Sequence, residues 1–234
     1  MKAFLLAAGL GTRLHPLTQH VPKCLVRVGG RPLLDLWLDN FRAAGVDEVL
    51  VNLHHLPEQV RSHLATLRGG VRVRTSYEPV LLGSAGTLVA GREFVGSDEV
   101  FLAVNGDDLT DFDLSRLLTA LEAAPAADAA IAVFRAPRPE ACGILEVKDG
   151  VVVSFEEKPA SPRSDLANAG MYAFRRSVLD LVPEGAPVDI GTHLLPRLVR
   201  RAVAVPVGDA FLIDIGTPEA LARAEAEWPQ RGVA

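Results

Sequence analysis

The sequence predicts an α/β fold with a mainly parallel sheet, and two observations lead to this prediction. Apolar runs of strand length alternate with segments of helical period, which is the pattern of parallel strands joined by crossover helices. The chain has 234 residues, of which 49% are hydrophobic and 23% are charged, so it can bury a large core. Because no stretch is long enough to act as a linker between independent units, we expect a single domain.

Five strands alternate with four helices in the predicted first half. Residue types that favour helix ends mark the boundaries: Gly45 suits the left-handed position after a helix, Pro57 suits a first helical turn, and Asp113 can cap a helix. The predicted strands span residues 2–7, 48–53, 71–77, 99–104 and 129–134, and the predicted helices span residues 33–44, 57–67, a segment that begins within 82–87, and 113–123. The expected order is therefore βαβαβαβαβ.

After residue 142 the alternation of strands and helices is replaced by successive short strands, which predicts a small β-rich lobe. Short strands are expected over 143–147, 151–156 and 169–174, with a hairpin turn at 148–150. Beyond them the sequence predicts a helix over 190–200, a short strand over 211–214, and a last helix capped by Thr217 with Pro218 at its first position.

Charge, hydropathy and cysteine content exclude several classes of protein. The net charge of −5 disfavours a nucleic-acid partner. The longest apolar runs, at 4–8 and 100–104, are far shorter than the roughly 20 residues of a membrane span, and the first of them is also too short for a signal peptide. Cys24 and Cys142 lack the spacing of a zinc site. These features favour a cytoplasmic protein with no membrane partner.

The loop after the first predicted strand has the composition of a phosphate-binding loop. Its sequence, AAGLGTRL at 7–14, places two glycines where the backbone can approach a phosphate chain and present N–H donors to it. Leu14 stands where the dinucleotide fingerprint needs its third glycine, and the spacing of a Walker A loop is also missing. An ordinary turn would explain the glycines alone, but Arg13 and Lys23 add two cations that could neutralise a triphosphate.

Two aspartates that follow apolar strands are candidate metal ligands. Asp107 and Asp214 could each be a simple turn former, but two hard carboxylates together suit Mg²⁺. Asp108 and Asp111 are alternatives that rank below Asp107. Ser84 is expected to cap the helix that follows it. The His54–His55 pair has no third ligand at useful spacing and indicates a strand end rather than a metal site.

These segments together resemble the signature of the sugar-1-phosphate nucleotidyltransferases, also called nucleotide-sugar pyrophosphorylases. The resemblance rests on motifs in the family's order across most of the chain, at residues 9–18, 22–23, 30–32, 82–87, 105–107, 156–159, 168–170 and 214–218. It implies a Rossmann-like three-layer fold, a divalent metal such as Mg²⁺, and the transfer of a nucleotidyl group from a nucleoside triphosphate to a sugar 1-phosphate with release of pyrophosphate.

The resemblance also assigns roles to particular residues. It divides the single domain into a nucleotide-binding half, 1–135, and a sugar-binding half, 136–234. It implies catalytic roles for Arg13, Lys23 and Asp107, and metal binding by Asp107 and Asp214. The implied nucleotide-binding residues are Leu6, Ala8, Gly9, Gly11, Thr12, Arg13, Lys23, Glu78, Gly83, Ser84 and Gly86, and the implied sugar-phosphate-binding residues are Gly143, Glu157, Lys158 and Asn168.

The base and the sugar are less sharply indicated. The segments 22–25, 81–88 and 142–146 are most similar to small single-domain guanylyltransferases that act on mannose- or manno-heptose-type 1-phosphates, which favours GTP. Ala8, in place of a glycine common in the family, and the segments 105–113 and 223–227 are instead similar to uridylyltransferases.

Three further alternatives stay open, namely a thymidylyltransferase, a phosphocholine-type cytidylyltransferase and a regulator that binds nucleotide sugars without turnover. The presence of all four charged residues of the implied centre favours an enzyme. The end of the chain at Ala234 predicts no C-terminal β-helix, and the apolar helix over 33–44 allows a homodimer.

Overall fold

The computed structural model describes residues 1–185 and 187–228. The strands are β1 (Lys2–Leu6), β2 (Arg27–Val28), β3 (Arg31–Pro32), β4 (Glu48–Leu53), β5 (Arg72–Tyr77), β6 (Val100–Asn105), β7 (Asp108–Thr110), β8 (Ala129–Arg135), β9 (Gly143–Lys148), β10 (Val151–Glu157), β11 (Leu166–Arg175), β12 (Ala202–Pro206) and β13 (Leu212–Asp214). The α-helices are α1 (Leu17–His20), α2 (Leu33–Ala43), α3 (Pro57–Thr66), α4 (Ser84–Ala90), α5 (Arg92–Val95), α6 (Ser115–Glu122) and α7 (Pro218–Glu227).

Nine of the strands form one mixed sheet. Their order is β5-β4-β1-β6-β11-β8-β12-β10-β9. Neighbouring strands from β5 to β6 are parallel, as are β8 and β12, whereas β11 and β10 run antiparallel to the strands beside them. Seven of the nine strands run in one direction, which confirms the expected mainly parallel sheet. Of the strands predicted for a β-rich lobe, β9 and β10 extend this sheet at one edge, whereas β11 lies within it.

Side chains of successive strand residues point to opposite faces of the sheet, and each face has its own apolar core. On β1, Ala3 and Leu5 belong to a buried cluster that includes Trp37 of α2, whereas Phe4 belongs to a second cluster that includes Leu88 of α4. Helices therefore cover both faces, and the result is the three-layer arrangement that the family resemblance implies.

Most predicted element ends agree with the structure to within one or two residues. Strand β4 spans the predicted residues, Gly45 has a φ of 74° after α2, and Thr217 Oγ1 accepts a hydrogen bond of 3.2 Å from the amide of Ala220 at the start of α7. The 148–150 turn is also confirmed, because Asp149 and Gly150 both have positive φ. The apolar runs and the end signals were strong enough to locate these elements.

Two local predictions are wrong. Residues 190–200 do not form an α-helix: a single π-helical turn, Ile190–Leu194, is followed by a 3-10 turn, Leu195–Leu198, because Pro196 lacks the N–H that would continue an α-helix. Ser84 is the first residue of α4 rather than its cap, since Gly83 occupies the cap position without a side-chain hydrogen bond.

Sequence analysis did not predict four short strands or the position of β11 within the sheet. The strands β2, β3, β7 and β12 were not expected. The strand predicted over 129–134 does not lie beside the one predicted over 99–104, because β11 is inserted between β6 and β8. Among the described residues no helix combines the length and apolarity needed to cross a membrane. The homodimer that the sequence allows and the expected absence of a C-terminal β-helix are not tested by the structure and stay predictions.

Candidate active site

The candidate site lies along one edge of the sheet, where β1 and β6 end. The parallel register pairs Leu6 with Asn105. The loop that follows β1 and the Asn105–Gly106–Asp107 turn that follows β6 are therefore neighbours. Gly106 lies close to β1, because a Cβ there would come within 3.0 Å of the Leu6 carbonyl oxygen. Open α/β sheets bind ligands at this carboxyl end of their strands.

The glycine-rich loop presents free backbone donors. Gly11 has a φ of 64°, and Thr18 Oγ1 donates a 2.7 Å hydrogen bond to the Gly11 carbonyl oxygen. A Cβ on Gly11 would approach Thr18 Cγ2 to 3.0 Å, so glycine is required here on two grounds. The amides of Gly9, Leu10 and Gly11 donate no hydrogen bond to any other residue that the structure describes. Such a run of free N–H groups can bind phosphate oxygens.

Lys23 is the centre of an ion-pair network. It is only 8% exposed, and its Nζ lies 2.9 Å from Asp107 Oδ2 and 3.1 Å from Asp214 Oδ1. Arg13 Nη2 lies 3.1 Å from the other oxygen of Asp214, but Arg13 itself is 62% exposed. The four charged residues that the sequence singled out are therefore together, although they come from distant parts of the chain.

A short ladder outside the main sheet brings the acidic residues together. Strands β7 and β13 pair antiparallel, with Asp214 opposite Asp108, and the amide of Ile215 donates a 3.1 Å hydrogen bond to the Asp107 carbonyl oxygen. As a result, carboxylate oxygens of Asp107, Asp108 and Asp214 lie within 4.8 Å of one another.

Two glycines leave space for this cluster. A Cβ on Gly216 would approach Arg13 Nη2 to 2.6 Å and Asp214 Oδ1 to 2.7 Å. A Cβ on Gly170 would approach Asn105 Nδ2 to 2.3 Å and Asp108 Oδ2 to 3.0 Å. A side chain at 216 would therefore displace the Arg13–Asp214 ion pair, and one at 170 would displace Asn105 and Asp108.

The pKa values of Asp108 and Asp214 are shifted in opposite directions. Burial raises the pKa of Asp108 well above its usual value, and the charges of Asp107 and Asp214 raise it further against the opposing effect of Lys23. Burial would also raise the pKa of Asp214, but Lys23 and Arg13 outweigh it and lower that pKa. Closely spaced carboxylates that repel each other fit a divalent cation with oxygen ligands. Asp107, Asp108 and Asp214 could hold one.

A cleft of about 320 Å³ lies on the β1 side of Asp107. Glu78, at its base, is buried in a hydrogen-bond network: its Oε1 accepts from Asn52 Nδ2 at 2.9 Å and from Thr87 Oγ1 at 2.6 Å, and its Oε2 accepts from the amide of Leu82. Of the predicted nucleotide-binding residues, those that line the cleft are Leu6, Ala8, Gly9, Lys23, Glu78, Gly83 and Ser84.

Other predicted nucleotide-binding residues lie elsewhere. The lining that the described residues form does not include Gly11, Thr12, Arg13 or Gly86. The amide of Gly86 donates a 3.0 Å hydrogen bond to the Val188 carbonyl oxygen, so it supports the start of α4.

A second cleft, of about 290 Å³, lies on the opposite side of Asp107 and contains three of the four predicted sugar-phosphate residues, Gly143, Glu157 and Asn168. Burial raises the pKa of Glu157, and although Lys158 lowers it, the charge of Asp189 adds to the rise. Lys158 itself is 66% exposed at the rim, with a φ of 46°. Asn105 and Asp107 line both clefts, so the two spaces meet at the acidic cluster.

Several other candidates have structural roles. Asp111 Oδ1 accepts a 2.6 Å hydrogen bond from the amide of Phe211, away from the cluster. His54 Nδ1 lies 2.7 Å from the Glu78 carbonyl oxygen, and His55 Nε2 lies 2.7 Å from the Thr18 carbonyl oxygen. Both histidines directly follow the end of β4, as the sequence predicts.

Sequence reasoning overlooked several residues of the site. It ranked Asp108 low, and it did not single out Asn52, Thr87, Asn105, Gly170 or Gly216. A signal was present for the last three, because each belongs to one of the recognised motifs. Thr87 likewise ends the recognised 82–87 motif, whereas Asn52 had no signal, since it is one polar residue in an otherwise apolar strand.

Comparisons with known proteins agree with this site. The family model described as nucleotidyl transferase matches residues 2–231. The chain is 34% identical over 215 residues to a UTP–glucose-1-phosphate uridylyltransferase of Synechocystis, with 85% of this chain and 55% of that protein covered. It is 31% identical over 239 residues to a mannose-1-phosphate guanylyltransferase of Mycobacterium tuberculosis, with 99% and 65% covered. It thus spans little more than half to two thirds of these relatives' length.

A solved structure has the same fold. The UDP-glucose pyrophosphorylase of Acinetobacter baumanii superimposes with a TM-score of 0.82 at 20% sequence identity, and the match covers 99% of this chain and 94% of that one. At this identity the likeness concerns the fold alone.

Proposed function

The chain belongs to the nucleotidyl transferase family, and from that premise we propose that it transfers a nucleotidyl group from a nucleoside triphosphate to a sugar 1-phosphate. One observation carries the proposal: two clefts meet at Asp107, beside a buried lysine and three converging carboxylates. The cleft on the β1 side would hold the nucleotide, and the cleft beside Glu157 would hold the sugar.

In the proposed reaction an oxygen of the sugar 1-phosphate attacks the α-phosphorus of the nucleotide. A new P–O bond forms while the bond to the β-phosphate oxygen breaks, and pyrophosphate leaves with the negative charge. Because no covalent enzyme intermediate is needed, catalysis consists largely of positioning and of neutralising charge.

The cations and the loop would supply that neutralisation. The free amides of the loop would bind phosphate oxygens at the start of the nucleotide cleft. The exposed Arg13 can turn from Asp214 towards the β- and γ-phosphates, whereas the buried Lys23 is fixed between the clefts, near the point where both reacting phosphates would meet. Glu78 has its carboxylate bonded within the protein, so we assign it to holding the cleft wall.

We propose Asp107 and Asp214, with Asp108 beside them, as the residues that hold a divalent cation, and Mg²⁺ as that cation. Mg²⁺ prefers carboxylate and phosphate oxygens, and when bound it would offset the charge of the reacting phosphates. The cluster sets three carboxyl groups against the two cations Lys23 and Arg13, which supports this assignment.

For the substrates we propose GTP and a mannose- or manno-heptose-type 1-phosphate. Support comes from the segments 22–25, 81–88 and 142–146 and from the guanylyltransferase relative. A second candidate is a uridylyl transfer to glucose 1-phosphate, favoured by the 34% identity to the Synechocystis uridylyltransferase. Both candidates use the same residues.

The test is pyrophosphate release from GTP, UTP, dTTP, CTP and ATP with Mg²⁺, each offered with mannose, manno-heptose, glucose, galactose and N-acetylglucosamine 1-phosphates. We expect the strongest signal with GTP and a manno-configured sugar. A signal with UTP and glucose 1-phosphate would transfer the assignment to the second candidate. No signal with any pair, together with retained binding of a nucleotide sugar, would contradict the enzyme proposal.

Two variants locate the reaction at the cluster. Asp107→Ala and Arg13→Ala should each lower kcat/KM by about 100-fold or more, because each removes charge that the transition state needs. The matched control is Arg176→Ala, an exposed arginine at the opposite end of the sheet. It should leave the rate unchanged.

A further inference from the structure

The Glu157 carboxylate lies close to the backbone of two glycine residues. Its side chain leaves the end of β10, and its Oε2 lies 2.7 Å from where a Cβ would stand on Gly143 and also 2.7 Å from where one would stand on Gly191. The carboxylate is therefore held between two glycine backbones, one from β9 and one from the π-helical turn.

The backbone conformation of Gly191 does not itself require glycine. Its φ lies outside the left-handed range, so the backbone there would accept an L side chain. The three nearest atoms to its would-be Cβ, apart from its chain neighbours, are the carboxyl atoms of Glu157, at 2.7, 3.2 and 3.8 Å. Gly143 is less simple, because a Cβ there would also meet the Phe155 ring at 2.8 Å.

The segment just before Gly191, residues 188–190, cannot easily move away from Glu157. The Val188 carbonyl oxygen accepts hydrogen bonds of 2.9 and 3.0 Å from the amides of Ala85 and Gly86. Asp189 Oδ1 accepts a 3.1 Å bond from the amide of Ser84, and Ser84 Oγ accepts a 2.7 Å bond from the amide of Ile190. Five backbone groups thus fix residues 188–190 to the start of α4, which borders the nucleotide cleft.

We propose that Gly191 is a positioning residue that determines sugar specificity. By lacking a side chain it fixes where the Glu157 carboxylate can accept hydrogen bonds from the sugar hydroxyl groups. This inference rests on the proposed function for the role of Glu157, but the placement of the carboxylate follows from the structure alone. A side chain at 191 would push the carboxylate, the free end of a flexible chain, rather than the anchored segment.

The experiment is a double-mutant cycle with Gly191→Ala and Glu157→Ala. In the wild-type background Gly191→Ala should raise KM for the sugar 1-phosphate by about tenfold or more, the effect of losing a hydrogen bond to a charged group. KM for the nucleotide should change by less than about twofold. In the Glu157→Ala background the same substitution should change the sugar KM by less than about twofold, because nothing is left to displace. Thr192→Ala, an exposed neighbour on the same turn, is the control.

Crystal structures of the wild type and of Gly191→Ala give a readout that needs no activity. We expect the Glu157 carboxylate to leave its place beside Gly143 in the variant. An unmoved carboxylate, or an equal KM penalty in both backgrounds, would overturn the inference. A displaced carboxylate in a protein that releases no pyrophosphate from any pair would instead refute the proposed function and leave the positioning role standing.

Discussion

Asp108 is the acidic residue of the cluster that Lys23 does not compensate directly. Lys23 bonds Asp107 and Asp214, so Asp108 faces two carboxylates from a partly buried position. Burial and these two charges raise its pKa. A carboxyl group whose pKa is higher in the folded than in the unfolded state destabilises the fold wherever it is ionised.

Asp108→Asn should therefore stabilise the metal-free protein. At pH 8 we expect a melting temperature about 2–4 °C higher, equivalent to about 1 kcal/mol in a chain of this size. This pH dependence is opposite to that of an aspartate whose pKa is lowered by folding. The gain in stability is full above the raised folded-state pKa of Asp108, and it disappears as the pH falls to the unfolded-state pKa. Thermal unfolding in EDTA at a series of pH values measures it.

The control is Asp107→Asn, which removes a partner 2.9 Å from the buried Lys23 ammonium. Because it leaves a buried charge with one partner fewer, this variant should not share the gain. A melting temperature for Asp108→Asn at or below that of the wild type at pH 8 would show that the repulsion is relieved in another way.

At the scale of elements, the start of α4 depends on a backbone contact that only glycine allows. Gly83 has φ 78° and ψ 161°, a region used almost only by glycine, and a Cβ there would lie 2.5 Å from the Val188 carbonyl oxygen. The neighbour is backbone that is itself hydrogen-bonded to α4, so it cannot yield cheaply.

Gly83→Ala should thus lower the free energy of unfolding much more than a positive φ alone would. Gly150→Ala is the matched control, because Gly150 has φ 80° and open space where its Cβ would be. We expect a loss of about 1–2 kcal/mol for the control and about 1–3 kcal/mol more for Gly83→Ala. Urea unfolding at pH 7 measures both. Equal losses of unfolding free energy in the two variants would mean that the Val188 segment moves to make room for the new Cβ.

The same elements show what sequence could predict and what it could not. Strands such as β4 and β6 were located because long apolar runs end at clear turn signals. The convergence of Lys23, Asp107 and Asp214 followed from motifs, since each lies at the end of a recognisable segment. The part played by Asp108 did not, because it depends on the register of β7 against β13, two strands of three residues each. The π-helical turn was missed because the 3.6-residue apolar pattern continues through Pro196.

At the scale of the whole molecule, the order of the strands in the sheet is the feature that the sequence predicts least well. β8 lies in the first half of the chain, but both its neighbours, β11 and β12, come from the second half. β11 in turn separates β6 from β8. No property of these runs specifies which strands are neighbours, because all of them are apolar and buried. The halves at 1–135 and 136–234 therefore share one sheet.

We accordingly expect the chain to unfold in a single cooperative transition. The two tryptophans report on different halves: Trp37 lies in α2, and Trp228 packs on Phe211 with ring centroids 5.6 Å apart. In Trp228→Phe the fluorescence of Trp37 should show the same urea midpoint as far-UV circular dichroism, and in Trp37→Phe the fluorescence of Trp228 should do likewise.

A fragment of residues 1–135 should lack a cooperative transition, because β8 would lose both of its partner strands and β6 would become an edge strand with one side unpaired. Two separated midpoints, or a fragment that unfolds cooperatively, would instead identify the halves as independent folding units and remove the structural reason for treating the two clefts as one site.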